Sequence, residues 1–168
     1  MRWNNSSSVR PAPGFIEPCL PSAATQAPTG ADWVYEIKHD GYRLMVRKHD
    51  DDRVRIYTRR GADWTKRFPL VAEAVRKLKV RSILLDGEGV IRRSDGLADF
   101  DLLHSKDNNG QVTLCAFDLL EHDGDDVRFR PLSERKQLLR KLLGEGQGGD
   151  RVQPSCRGRG PDRVRPCL

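Results

Sequence analysis

The sequence lacks any run close to the roughly 18 to 20 consecutive apolar residues that a membrane helix needs. Met1-Arg2-Trp3-Asn4-Asn5 leads into serine and proline rather than the apolar core of a secretory signal, so a soluble, cytoplasmic chain is expected. Cysteine is sparse: Cys19, Cys115, Cys156 and Cys167 stand far apart, with no C-x-x-C pair and no histidine at zinc-ligand spacing. That argues against a disulfide scaffold and a structural zinc site. Cys115 sits in an apolar run, where a buried, inert thiol is the expectation. Aromatic residues are 7% and hydrophobic residues 37% of 168, enough for one modest core and too little for a large multidomain enzyme. Solenoid-length repeats are absent.

What the chain has in quantity is charge. Thirty Lys and Arg against 24 Asp and Glu give +6, a surplus that suits a polyanionic partner. Residues 1–30, rich in serine and proline, read as a flexible leader ending in an opening segment of the domain. Residues 31–143 carry the domain, where short β-patterned runs alternate with turn signals and helical patterns. Residues 144–168, dominated by Gly, Arg and Pro, are expected to hold no packed element.

Within the domain, residues 33–38 alternate apolar and polar, then His39-Asp40-Gly41 is expected to turn the chain into strands over 42–48 and 54–58, forming a three-stranded antiparallel meander. Phe68, Val71, Val75 and Leu78 repeat at helical spacing, with Pro69 suited to a first turn. Residues 82–85 and 112–117 read as central strands and 132–143 as an amphipathic helix. The expected class is α+β.

The most specific local pattern is Glu36-Ile37-Lys38-His39-Asp40-Gly41-Tyr42-Arg43, where a lysine closes a strand before a tight turn. A nucleophilic lysine must lose its proton and sit on rigid backbone, and a strand end supplies the rigidity. The K-x-D-G core also fits an ordinary hairpin.

This stretch resembles motif I of the covalent nucleotidyltransferases, the superfamily of DNA ligases, RNA ligases and capping guanylyltransferases. Thr58-Arg59-Arg60-Gly61 resembles the Ser-Arg-x-Gly element, Leu85-Asp86-Gly87-Glu88 motif III, and Ala116-Phe117-Asp118-Leu119-Leu120 motif IIIa, all in family order. Asp63-Trp64-Thr65, Phe68-Pro69, Pro131-Leu132 and Arg135 are similar to bacterial ATP-dependent DNA ligases, above all to the ligase domain of end-joining enzymes. The resemblance runs from about Gly14 to Leu143. It implies a partial nucleotidyltransferase, ATP-grasp-like fold of antiparallel sheets with flanking helices.

By the same resemblance, Lys38 is the lysine that attacks the α-phosphate of ATP and carries AMP. Glu36 accepts a hydrogen bond from the adenine amine, with a surface ion pair as the alternative. Arg43 and Arg59 contact AMP and the DNA phosphate, while Arg47 and Arg60 are left to solvent. Glu88 lies near the ribose and a Mg2+ or Mn2+ ion, and Phe117 stacks on adenine, with a plain core phenylalanine as its rival. Asp118 is read as orienting neighbours or assisting metal binding, with a purely structural role given equal weight. The implied partner is nicked or broken double-stranded DNA.

The family's further carboxylate motif, its lysine-rich motif V and an OB-fold domain do not follow Leu143. A truncated or frameshifted ligase gene product is therefore expected. An inactive remnant, a weak nucleotide- or DNA-binding module, and an RNA ligase of the same superfamily are the alternatives.

Overall fold

The computed structural model describes residues 14–26, 29–30, 33–94 and 96–144, together with the backbone of 152–154. The strands are β1 (Tyr42–Lys48), β2 (Val54–Thr58), β3 (Ile83–Val90), β4 (Thr113–His122), β5 (Asp125–Asp126) and β6 (Val152–Pro154). The helices are α1 (Pro69–Arg76), α2 (Phe100–His104) and α3 (Leu132–Leu143), with a 3-10 turn over Lys106–Gln111. One sheet runs β2-β1-β3-β4-β5 in antiparallel order, and β6 joins β4 in parallel. The class is α+β, as expected from the pattern.

Alternation along β1 decides what each face holds. Leu44 and Val46 point into a core with Ile56, Leu85, Leu114 and Leu119, closed by Val71 and Val75 of α1, Leu103 of α2 and Leu139 of α3. Met45, one residue out of phase, packs on the opposite face with Tyr57 and Leu84. Each such large side chain taken from water contributes about 1.5–3 kcal/mol. Lys48 points to the helical face and is buried; its ammonium donates to the Leu78 and Val80 carbonyls, 2.9 Å each, and pairs with Asp52 at 3.0 Å. These carbonyls follow the end of α1, where the helix itself offers no donor.

Several expectations change. Residues 33–38 do not form the first strand of a meander: both edges of β1 are taken, by β2 and β3, and only Glu36 makes a bridge. Trp33 and Ile37 are exposed there, at 55% and 43%. Lys38 therefore closes an irregular segment rather than a strand. The strands containing the D-G-E and F-D-L-L runs extend further than their apolar stretches suggest, because polar residues continue both ladders. Helices α1 and α3 lie where the periodicity predicts them, Pro69 taking the first turn of α1.

The leader is not uniformly loose. Phe15 and Ile16 pack against the Met45, Tyr57 and Leu84 cluster and Pro18 is buried, while residues 1–13 lie outside the described residues. In the tail, β6 pairs Val152 with Leu114 and Pro154 with Ala116, a packed element where none was expected; the remainder beyond Gly144 lies outside the described residues. Cys115 is buried as expected and Cys19 is exposed. Among the described residues no helix is long and apolar enough to cross a membrane.

Candidate active site

The face turned away from the helices carries the charges. Arg43 stands opposite Glu88 across the β1–β3 ladder and Met45 opposite Asp86, so the period of two sends Arg43, Asp86 and Glu88 to the same side as Met45. Arg43 grips Asp86 with two hydrogen bonds, Nε to Oδ1 at 3.1 Å and Nη2 to Oδ2 at 2.8 Å. Its guanidinium carbon lies 5.4 Å from the Phe117 ring centroid. The Asp86 contact raises the Arg43 pKa, while burial pushes the Asp86 carboxyl up against the pull of Arg43.

Gly87 faces the other way, under β4. A Cβ there would stand 2.8 Å from the Cys115 carbonyl oxygen and 3.0 Å from the Ala116 Cα, and the ladder shifts register between Asp86 and Gly87. The D-G-E run is thus a central strand segment that glycine allows to approach its neighbour, not a turn.

The K-x-D-G segment lies across the end of β3. A Cβ on Gly41 would fall 2.3 Å from the Gly89 carbonyl oxygen and 3.1 Å from the Glu88 Cγ, so Gly41 serves close approach rather than the expected hairpin turn. Glu88 is half-buried, and burial pushes its carboxyl up to about 7. Arg43, the Gly41 amide and the charge of Lys38 pull it back, and Asp40 reinforces the rise. Lys38 is exposed, within electrostatic reach of this carboxyl.

Glu36 and Lys38 both lie outside the named strands. Glu36 is half-buried and forms an ion pair with Lys136 of α3. The buried Lys136 ammonium also donates to the Phe117 carbonyl. The next basic residue, Arg135, holds Asp118 with two bonds of 2.9 Å and donates to the Arg128 and Arg130 carbonyls. Both oxygens of the Asp118 carboxylate are thereby engaged by Arg135 of α3.

Phe117 and Arg43 line one groove with Asp86, Asp118 and the Glu17–Pro18 segment. Arg43 and Glu88 also line a second, with Arg59, Arg60, Tyr42 and Trp64. Arg59 and Arg60 are both exposed at that groove. Trp64 is held by an edge-on Tyr42 ring at 5.0 Å and by Arg67, whose guanidinium lies 4.3 Å above the indole. Arg47, left to solvent in the sequence reading, instead pairs with Glu121 at 2.6 Å and donates to the Gly14 carbonyl at 3.2 Å.

The structure thus gathers Arg43, Glu88 and Phe117 on one face, sets Lys38 within electrostatic reach of Glu88, ties Glu36 to the back of Phe117 and leaves Arg59 at the groove wall. Sequence reasoning missed Asp86 and Lys136. Asp86 stands inside the quoted motif III run, so an acid facing Arg43 across a ladder was findable; Lys136 carries no local signal because a lysine on an amphipathic helix reads as solvated. Among the described residues no three His, Cys, Asp or Glu side chains gather to hold a metal ion.

Comparison with known proteins decides the family. The model described as the ATP-dependent DNA ligase domain matches residues 19–161, past the Leu143 at which the motif resemblance stops. This chain belongs to that family. Over 152 residues it is 40% identical to the multifunctional non-homologous end joining protein LigD of Pseudomonas aeruginosa, covering 89% of this chain and 18% of the relative. It is 34% identical over 143 residues to a probable DNA ligase of Sorangium cellulosum, covering 76% and 27%. Among solved structures, the ligase domain of LigD from M. tuberculosis superposes with a TM-score of 0.64 and 29% identity, over 77% of this chain and 42% of that one. A mycobacterial DNA ligase D complexed with ATP and MES gives 0.62 and 30%, over 77% and 41%. The chain thus spans less than half the length of these ligase relatives. The curled antiparallel sheet is the ligase-domain fold.

Proposed function

We propose that this chain carries the adenylate-forming part of an ATP-dependent DNA ligase, with Lys38 as the nucleophile. The Lys38 amine nitrogen attacks the α-phosphorus of ATP; the nitrogen–phosphorus bond forms as the nitrogen gives up a proton to solvent, the bond to the bridging oxygen breaks, and pyrophosphate departs with its electron pair. In the complete ligase cycle, AMP then passes to a DNA 5′-phosphate at a nick and the 3′-hydroxyl displaces it, which serves DNA repair and recombination.

The observation that carries this reading is the convergence of Arg43, Glu88 and Phe117 on one sheet face with Lys38 within electrostatic reach of Glu88. Phe117 offers a flat apolar surface to a base, and the Arg43 fork, pinned by Asp86, keeps a fixed cation at the groove. Arg59 on the groove wall suits a nucleotide or DNA phosphate. Positioning and charge stabilisation are the main protein contributions to such phosphoryl chemistry.

A Mg2+ or Mn2+ ion fits a site with one carboxylate and nucleotide phosphates: Glu88 would hold it, and it would neutralise phosphate charge. Incubating the chain with ATP and magnesium and recording an intact mass tests the reading. One added AMP, lost in Lys38→Ala, is expected; no adduct from a folded chain that still binds nucleotide would turn the reading to a binding module without catalysis.

A further inference from the structure

Helix α3 sets two consecutive basic side chains against the Phe117–Asp118 step of β4. Arg135 goes to the Asp118 carboxylate on the groove side. Lys136 goes to the carboxylate of Glu36 and the carbonyl of Phe117, and its side chain is only 7% exposed. A buried ammonium must be paired and hydrogen-bonded to be tolerated, and here a single one joins two segments far apart in sequence.

Those two segments hold the groups that meet a base in the reading above, on which this inference rests. Phe117 covers the face of the ring, and the family resemblance gives Glu36 its exocyclic amine. Glu36 lies outside any named strand, its backbone held by a single bridge rather than a continuous ladder. A carboxylate has acceptor capacity beyond one ammonium, so pairing with Lys136 is compatible with receiving an amine.

We infer that Lys136 is the positioning residue for base choice: it holds the Glu36 carboxylate aimed beside Phe117, and so favours a base with an amine at its six-position over one with a carbonyl there. An ionised, fixed carboxylate facing a carbonyl sets acceptor against acceptor, whereas facing an amine it gains a charge-assisted hydrogen bond. A carboxylate freed from its partner can turn away, and the distinction fades.

The test measures binding of AMP and GMP to the full chain by calorimetry, alongside the ATP and GTP dependence of lysyl-nucleotide formation. Lys136→Met is expected to weaken AMP by roughly tenfold, the scale of one charge-assisted hydrogen bond, with GMP unchanged. The loss should enter KM more than kcat. Glu36→Gln should show the same pattern, and the double variant should be no worse than Glu36→Gln alone.

Equal weakening of AMP and GMP, an unchanged preference, or additive losses would each overturn the role of Lys136. Should Lys136→Met fail to fold, Lys136→Arg keeps the cation but moves it; a reduced AMP preference with GMP binding intact is expected, and an unaltered preference overturns the inference. Failure of the unaltered chain to bind either nucleotide would remove the nucleotide-site reading and this role with it. Binding by the unaltered chain with Lys136→Met indistinguishable from it would remove only this role.

Discussion

The two faces of the sheet are made by the same strands, and they differ in how their side chains are satisfied. On the helical face Leu44, Val46 and Leu85 meet other apolar groups in a closed core. On the opposite face, one residue out of phase, Arg43, Asp86 and Glu88 occupy the same ladder and meet grooves instead of helices. The helical face draws its stability from non-directional burial, while the groove face depends on paired geometry such as the Arg43–Asp86 fork. A strand in this protein thus sends alternate residues to the closed core and to the open grooves.

Substitutions on the two faces should separate these contributions. The largest loss of stability belongs to the helical face: Leu85→Ala, at a fully buried site, is expected to cost about 2–5 kcal/mol in urea unfolding. A loss below about 1 kcal/mol would mean that the core there repacks.

On the groove face, Arg43→Met strands the buried Asp86 carboxylate without its two hydrogen bonds. A buried pair broken from one side costs about 3–5 kcal/mol, and the partial exposure of Arg43 lowers this to about 2–3 kcal/mol. Adding Asp86→Asn should restore part of it, which a double-mutant cycle reads directly.

Glu88 gives a pH-dependent contrast. Its carboxyl is raised from 4.5 to about 7 by burial, so the folded state holds a proton that the unfolded chain has released over that window. Stability from this group is present at low pH and falls as pH climbs from about 4.5 through about 7. Glu88→Gln should flatten that fall in urea midpoints measured across the window, and no change in the pH profile would refute the assignment. The smallest effect is expected at Arg76, whose pair with Glu73 at 2.8 Å lies on the solvated side of α1. Arg76→Ala should leave the urea midpoint essentially unchanged.

Local pattern made much of this legible. Periodicity located α1 and α3, and the strands β1 and β2 followed from alternation and the acidic turn between them. The K-x-D-G, D-G-E and F-D-L-L runs marked the residues that converge at the site. Residues 33–38 misled, because their alternation is as good as that of β1; whether such a segment pairs depends on a vacant strand edge, and β2 and β3 had taken both. The leader misled in the opposite sense: its composition reads as loose, yet Phe15 and Ile16 find the apolar half of the groove face.

The sequence by itself determined the amphipathic helices, the alternating strands and the identity of the chemical groups, because these follow from side-chain periods and residue types within a few positions of one another. Only the tertiary structure decided which groups are partners. Register placed Arg43 against Asp86 rather than leaving both to water, and the docking of α3 on β4 buried Lys136 between Glu36 and Phe117. Such pairings depend on strand order and helix docking between residues distant in the chain, and no local signal encodes them.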